Sequence, residues 1–206
     1  MVAMVAGTRE RMIQTAARLF QRDGYRSTSW RGLVKQAGTP WGSIHHHFPG
    51  GKEELAIAAI DAGGEAVAAL IDHCFSERVD PPAAVARWFE LSAELLLLSE
   101  YTAGCPVATV ALETAASSPA MRSQTQRVFS RWQAQVAAHL RAAGATSRAA
   151  RDASEAVLAL LEGALLLARV QETQRPLRTA SAQAQAIVRG ALNANAGGGA
   201  AERAPR

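Results

Sequence analysis

The sequence is poor in cysteine, in aromatic residues and in long apolar segments. Its two cysteines, Cys74 and Cys105, are too few for a disulfide framework and lack the spacing of a metal site. Aromatic residues make up 5% of the chain and hydrophobic residues 49%, a balance that favours helices over sheets. No run of about 18 apolar residues is present, and the N-terminus lacks a secretory signal pattern. We therefore expect a helical, cytoplasmic protein with no membrane partner.

Acidic residues are also missing from a stretch near the N-terminus. From Gly24 to Lys52 there is no Asp or Glu, but there are four Lys and Arg residues. Residues 1–60 carry eight basic and four acidic residues, an excess that equals the formal charge of +4 of the whole chain. A local positive charge of this kind is suited to the phosphates of nucleic acid; the alternative is an ordinary solvated basic face.

Residues 28–52, TSWRGLVKQAGTPWGSIHHHFPGGK, begin with the pattern of a short helix. Either Thr28 or Ser27 can cap it, and apolar residues then recur at helical spacing. Gly38 ends the pattern, because glycine adopts the left-handed conformation after a helix at little cost. The pattern predicts a helix that stops at Gly38 and is followed by a tight turn.

A second short helix is predicted to follow this turn. Pro40 suits its first turn, where the missing N–H is no loss. Ile44 and Phe48 are four residues apart and can face inward together. The residues left on the outer face are Trp41, Ser43, His45 and His47. Two helices connected in this way, the second with a polar and aromatic outer face, are typical of a helix-turn-helix that reads DNA.

The run GYRSTSWRGLVKQAGTPWGSIHHHFPGGKEEL resembles the N-terminal domain of the TetR/AcrR transcriptional regulators, over roughly residues 8–60. The elements that carry the resemblance, in order and at the family's offsets, are Gly38, Gly42-Ser43, His46, Phe48 and Lys52-Glu53. Two residues depart from the pattern: Trp41 stands where the family usually has Lys, and His45 where it usually has Tyr. Both lie in the expected recognition helix, so relatives do not supply the operator sequence.

The resemblance implies which residues contact DNA. Carried over by position, they are Thr28, Thr39, Pro40, Trp41, Gly42, Ser43, His45, His46, His47 and Lys52. Thr28 and Lys52 are expected at helix starts, where they would bind phosphate, and Trp41 is expected to read a base. A metal site at the three histidines is not expected, because consecutive helical residues point about 100° apart. No metal, cofactor or catalytic residue is predicted.

The rest of the chain has helical patterns only. Together with the resemblance they predict an all-α protein with a helix-turn-helix DNA-binding domain (1–52), a helical ligand-binding and dimerisation domain (53–194) and a disordered tail (195–206). In the helix expected from Gly51 to about Cys74, the pair Gly63-Gly64 indicates either close packing of a neighbouring helix or a bending point. The run GCPVATVALE and the PGGKEEL loop resemble LmrA/YxaF-like members of the family.

Family members typically sense small molecules in the helical domain, and the resemblance implies a ligand site here. The residues expected to line it are Trp88, Phe89, Cys105, Val110, Phe129, Trp132, Glu162 and Arg169. The alternative for the aromatic residues is ordinary core packing. Cys105 precedes Pro106 at a helix start, where a thiolate is favoured, so it is either a redox-active thiol or a small buried hydrophobe.

The last two long helices, at about 147–171 and 179–193, are expected to pair with their copies in a homodimer. The residues expected at that interface are Leu158, Leu161, Leu165, Ile187 and Leu192. The sequence thus predicts a ligand-responsive repressor that binds a palindromic DNA operator and is released by a small, largely apolar effector. The alternatives are a thiol-based repressor that senses redox state through Cys105, a helical-bundle enzyme and an architectural DNA binder without a ligand. The enzyme is disfavoured because no catalytic motif is present.

Overall fold

The helices predicted from the sequence are present in a computed structural model of the protein, which describes residues 7–76 and 80–198. The elements, in order, are α1 (Thr8–Asp23), α2 (Trp30–Ala37), α3 (Ser43–His47), α4 (Gly51–Cys74), α5 (Pro81–Leu98), α6 (Ala108–Thr114), α7 (Pro119–Ala142), α8 (Ser147–Gln171) and α9 (Arg175–Gly198). These described residues include no strand. The prediction of an all-α protein is confirmed.

The described residues form two compact units. The first contains the residues up to Ala66 together with Thr102–Val128, and the second contains Val67–Tyr101 together with the residues from Phe129 onward. Helices α4 and α7 therefore contribute to both units. The predicted domain boundary between residues 52 and 53 falls inside α4. The boundary between the two compact units falls later in the same helix, between Ala66 and Val67. The division into compact units does not test whether residues 1–52 fold independently, so that domain stays a prediction.

The core of the first unit follows the helical period of α1. The buried apolar side chains of this helix are Met12, Ile13, Ala16, Leu19 and Phe20. They recur at intervals of three and four residues, so they form one stripe that packs against α2. Thr8 is of a residue type that often caps helices, but here it is the first residue of α1. Gly7 occupies the N-cap position, so no side chain caps this helix.

The glycine pair of α4 is explained by close packing within the first unit. A Cβ atom at Gly63 would lie 2.8 Å from Cβ of Pro106, and one at Gly64 would lie 2.7 Å from Cγ1 of Val128. Real Cβ atoms do not approach other carbons so closely, so a larger residue would displace a neighbour. Of the two explanations offered for the pair, close packing is confirmed.

The second unit is organised around α5, α8 and α9. Helix α9 packs extensively against both α8 and α5. The amide of Gln174, at the connection of α8 and α9, donates to the carbonyl oxygen of Ala93 at 3.1 Å. In the same unit the amide of Gln135 on α7 donates to the carbonyl oxygen of Ala68 on α4 at 3.0 Å. No helix in the described ranges is long and apolar enough to cross a membrane.

The last helix is longer than its pattern indicates. Helix α9 runs from Arg175 to Gly198, whereas the sequence predicts a helix at about 179–193. The extension at the start is favoured by Pro176, since proline suits a first turn; the extension at the end has no explanation in helix propensity, because it includes Asn195, Gly197 and Gly198. The predicted disordered tail begins at residue 195, so its first four residues are helical, and residues 199–206 lie outside the described part of the chain.

Candidate nucleic-acid interface

Helix α2 and the turn after it have the geometry of the predicted helix-turn-helix. The cap of α2 is Ser29, whose Oγ accepts the backbone N–H of Gly32 at 3.1 Å. The predicted caps, Thr28 and Ser27, are therefore wrong by one or two residues. Gly38 has φ 60° and ψ 40°, and the N–H of Thr39 donates to the carbonyl oxygen of Val34 at 3.2 Å. The left-handed stop predicted at Gly38 is confirmed.

The second helix of the motif begins later than predicted. Pro40 and Trp41 form a turn in which the carbonyl oxygen of Pro40 accepts from the backbone N–H of Ser43 at 3.1 Å and from its hydroxyl at 2.6 Å. Helix α3 starts only at Ser43. Ile44 and Phe48 are 3% and 0% exposed, so their predicted inward orientation is confirmed.

The outer face of α3 and of the turn before it is open to solvent. The side chain of Trp41 is 56% exposed, and His45 and His46 are exposed as well. Ser43 and His47 are half-buried, and the rings of His46 and His47 meet edge to face at 4.8 Å between centroids. The turn before α3 therefore presents a large aromatic ring to solvent, next to the exposed histidines of the helix.

Two threonines predicted to contact DNA are buried instead. Thr28 is 5% exposed, and its hydroxyl donates to the carbonyl oxygen of Gly24 at 2.8 Å. Thr39 is 9% exposed, and its hydroxyl oxygen is buried without a hydrogen-bond partner among the described residues. The sequence could not separate these from surface threonines, because a threonine hydroxyl serves a phosphate and an internal carbonyl equally well.

Lys52, the other predicted phosphate ligand, also faces inward. Its Nζ donates to the carbonyl oxygen of Tyr25 at 2.5 Å and lies 4.3 Å from the centroid of the Tyr25 ring. Burial lowers the pKa of Lys52, and the nearby carboxylate of Glu113 partly opposes this shift. Burial of the Tyr25 hydroxyl, with a smaller contribution from the charge of Glu53, raises the pKa of Tyr25. One of the three donors of the Lys52 ammonium is thus engaged by the fold itself.

Other basic residues of the first unit are better exposed than Lys52. Arg31 and Lys35 lie on the solvent side of α2. Arg9 on α1 is exposed too, and its guanidinium lies 5.3 Å from the centroid of the Phe48 ring. All three residues belong to the local positive charge near the N-terminus, but the position of Arg9 beside Phe48 was not predicted. No sequence signal places it there, since Arg9 and Phe48 are brought together only by packing.

Comparison with known proteins agrees with this geometry. The family model for bacterial regulatory proteins of the tetR family matches residues 12–59, and the model for the C-terminal domain of LmrA/YxaF-like transcriptional regulators matches residues 81–183. The chain is 35% identical to an uncharacterized HTH-type transcriptional regulator of Bacillus subtilis, YxaF, over 88% of this chain and 95% of that protein. The chain belongs to the TetR family.

Two further comparisons support this assignment. The HTH-type transcriptional regulator LmrA of Bacillus subtilis is 34% identical, over 82% of this chain and 90% of LmrA. The crystal structure of regulatory protein TetR from Rhodobacter sphaeroides has the same fold, with a TM-score of 0.79 and 23% identity over 87% of this chain and 98% of that one. The protein is a DNA-binding transcriptional regulator of the TetR family and not an enzyme.

The residues predicted to bind a ligand in this TetR-family protein are divided between the two units. In the second unit Trp88, Phe89 and Trp132 are each 1% exposed, and the rings of Phe129 and Trp132 meet edge to face at 5.4 Å. Phe129, Glu162 and Arg169 are half-buried. In the first unit Cys105 is 8% and Val110 1% exposed, and the sulphur of Cys105 accepts the N–H of Ala108 at 3.4 Å.

The second unit also contains an open groove between α5 and α9. Its volume is about 480 Å³, which is within the usual range of small-molecule sites. The lining residues are Ala86, Phe89, Glu90, Ala93, Glu94, Gln174, Leu177, Arg178 and Ser181. Of the residues predicted to contact an effector, Phe89 alone lines this groove.

The predicted dimer residues are not equally accessible. Leu158 and Leu161 are 6% and 3% exposed, so they belong to the core of their own subunit. Leu165, Ile187 and Leu192 are half-buried. The apolar side chains that α8 presents to solvent are Leu166, Leu167 and Val170, which are 56%, 52% and 74% exposed. Sequence spacing did not distinguish the two faces, because apolar residues occur on both sides of α8.

Proposed function

We propose that this TetR-family regulator is a homodimeric repressor that acts in the cytoplasm, binds a palindromic operator and is released by a small, largely apolar effector. The observation that carries the proposal is the solvent-exposed outer face of α3 within a stretch, residues 24–52, that has no acidic side chain. A helix of this kind fits the major groove without charge repulsion from phosphate.

The proposed contacts with DNA follow from exposure. Trp41, His45 and His46 are the candidates for reading base edges, since they are the most exposed residues around α3. Arg31 and Lys35 on α2 are the candidates for phosphate contacts. Thr28 and Lys52 then support the motif from inside, by the contacts described above, and Thr39 is buried in it.

Dimerisation is supported by the outer faces of α8 and α9. The apolar and small residues exposed along one stripe of α8 are Ala159, Gly163, Leu166, Leu167 and Val170. Those exposed along one stripe of α9 include Ala182, Ala186 and Gly190. Large apolar side chains on one helix and small residues on its neighbour allow two copies to pack as a four-helix bundle. A twofold dimer would present two recognition helices about 34–36 Å apart, one turn of DNA.

An apolar effector is supported by the buried aromatic side chains of the second unit, among them Trp88 and Trp132. If effector binding favours a state that binds DNA poorly, then DNA must weaken effector binding by the same factor. The thiol-sensing alternative finds no support, because Cys105 is buried. Oxidation favours exposed thiolates.

The DNA-binding part of the proposal is tested by selection from a random duplex library with the purified protein. We expect a palindromic consensus whose half-sites are centred about 10 base pairs apart or a multiple of that. Sedimentation of the free protein should give a dimer, and sedimentation of the complex should give one or more dimers per duplex. A stable monomer, or the absence of any enriched duplex at low salt, would refute the proposal.

The effector part is tested with the selected duplex. Fluorescence anisotropy is measured while a panel of apolar and polar small molecules is added, and a true effector should raise the Kd for the operator. A matched measurement of effector affinity, with and without operator, must give the same coupling factor. A panel in which polar and charged compounds release DNA while apolar ones do not would contradict the proposed effector class.

A further inference from the structure

Within the first unit, the segment 104–118 is joined to the helices of the DNA-binding motif by polar contacts between residues distant in sequence. The side-chain amide of Gln21 on α1 donates to the carbonyl oxygen of Gly104 at 2.7 Å, and the N–H of Gly104 donates back to the carbonyl oxygen of Gln21 at 3.3 Å. The hydroxyl of Ser118 donates to the carboxylate of Glu53 at 2.6 Å. These contacts bring α6 beside α1 and the start of α4.

Between these two contacts lies Glu113, near the end of α6. The backbone N–H of Arg26 donates to Oε2 of Glu113 at 2.7 Å, and Nη2 of Arg26 donates to the Glu113 carbonyl oxygen at 3.0 Å. Gly24 makes room for this carboxylate, because a Cβ at that position would overlap Oε1 of Glu113. Gly24 also has φ 87°, a conformation that glycine adopts readily.

Arg26 and Gly24 belong to the α1–α2 turn, residues 24–29, which sets the direction in which α2 leaves α1. The turn is held on its carbonyl side by Lys52, which donates to Tyr25, and by Thr28, which donates to Gly24. Glu113 supplies the acceptor for the Arg26 amide in the same turn. A hydrogen bond from a backbone N–H to an ionised carboxylate is stronger than one between neutral groups, so Glu113 is a substantial constraint on the turn.

We propose that Glu113 is a positioning residue for DNA binding: its carboxylate holds the α1–α2 turn, and thereby orients α2 and α3 toward the operator. The proposal rests on the proposed function, since it concerns affinity for operator DNA. It gives α6 control over the recognition helix through one side chain. A displacement of α6 that withdraws the carboxylate would free the Arg26 amide and loosen the motif.

The sign of the effect separates this role from simple electrostatics. Glu113 is an acid close to a basic surface, so removing its charge should strengthen DNA binding if charge alone mattered. Withdrawing its carboxylate from Arg26 should weaken binding if position matters. Glu113→Asp keeps the charge but shortens the side chain, whereas Glu113→Gln removes the charge but keeps an oxygen at the same reach.

The test measures the Kd of each variant for the selected operator duplex by anisotropy at several salt concentrations. We expect Glu113→Asp to bind about tenfold more weakly, which corresponds to the loss of one charge-assisted hydrogen bond. Its dependence of log Kd on log salt should be unchanged, because no phosphate contact is lost. Glu113→Gln should lose less affinity than Glu113→Asp, because it keeps an acceptor oxygen at the same reach and removes an acidic charge near the DNA. The control is Glu10→Gln, because Glu10 is exposed and its side chain accepts a hydrogen bond from Gln14 of its own helix.

A second readout uses the protein without DNA. Hydrogen exchange at the Arg26 amide should accelerate more in Glu113→Asp than in Glu113→Gln, and peptides from α8 and α9 should exchange as in the wild type. The inference is overturned if Glu113→Asp binds the operator like the wild type, or if Glu113→Gln loses as much affinity as Glu113→Asp. If the wild type selects no duplex, the proposed function fails first and the inference fails with it.

Discussion

The close packing of α4 against its neighbours leads to a prediction whose sign is opposite to the usual rule. Gly64 lies in the interior of a helix of 24 residues, where Gly→Ala normally stabilises by about 0.8–1 kcal/mol. A Cβ at this position would lie 2.7 Å from Cγ1 and 3.1 Å from Cγ2 of Val128. We predict that Gly64→Ala destabilises the protein, because Val128 is 5% exposed and has little space to move.

The magnitude follows from two opposing terms. Forcing an extra methyl group into a packed core costs about 1–3 kcal/mol, and the gain in helix propensity offsets up to about 1 kcal/mol of this cost. The expected net loss in the free energy of unfolding is therefore about 1 kcal/mol. Val128→Ala removes both clashing methyl groups and leaves Cβ of residue 128 at 3.6 Å, an ordinary contact distance. In that background Gly64→Ala should stabilise by up to about 1 kcal/mol.

The assay is urea unfolding followed by helical circular dichroism. The wild type, the two single variants and the double variant are measured at one protein concentration, because the proposed dimerisation would make stability depend on concentration. The double-mutant cycle should give a coupling energy of about 2 kcal/mol. If Gly64→Ala stabilises the protein equally in both backgrounds, close packing against Val128 is not the reason for the glycine.

Three further predictions concern the surface and the motif. Trp41→Ala should change the free energy of unfolding by less than about 0.5 kcal/mol, since the side chain is 56% exposed. The substitution should alter the DNA consensus recovered by selection, and an identical consensus would exclude Trp41 from base reading. Leu167→Glu should convert the proposed dimer to a monomer in sedimentation. The control Leu112→Glu, at an 82% exposed residue of α6, should remain dimeric, and a dimeric Leu167→Glu would rule out the α8 face as the dimer interface. Thr39→Val should raise the free energy of unfolding by about 1 kcal/mol, because the buried hydroxyl has no hydrogen-bond partner among the described residues. A lower stability would show that the hydroxyl is hydrogen-bonded.

Considered together, the contacts of the first unit divide the predicted DNA-binding residues into two groups. The outer group, with Trp41, His45 and His46, is free to meet DNA. The inner group, with Thr28 and Lys52, holds the α1–α2 turn by its carbonyl oxygens. A family motif transfers positions, and it does not say whether a side chain at such a position acts on the partner or on the fold.

The sequence by itself determined the features that depend on residues close together along the chain. Helical periodicity placed Ile44 and Phe48 on the inner face, because a separation of four residues puts two side chains on one side of a helix whatever surrounds it. Gly38 ended α2 for a reason confined to its own backbone, its tolerance of positive φ. The family was also evident from sequence, because the motif occupies consecutive positions.

Only the tertiary structure decided which apolar face of α8 is core and which is surface. Leu158 and Leu161 are buried and Leu166 and Leu167 are exposed, although all four are leucines of one helix. It likewise decided the partner of Glu113, which lies 87 residues from Arg26. The physical reason is the same in both cases: burial and long-range hydrogen bonds depend on which other elements pack against a helix, and that information is spread over the whole chain.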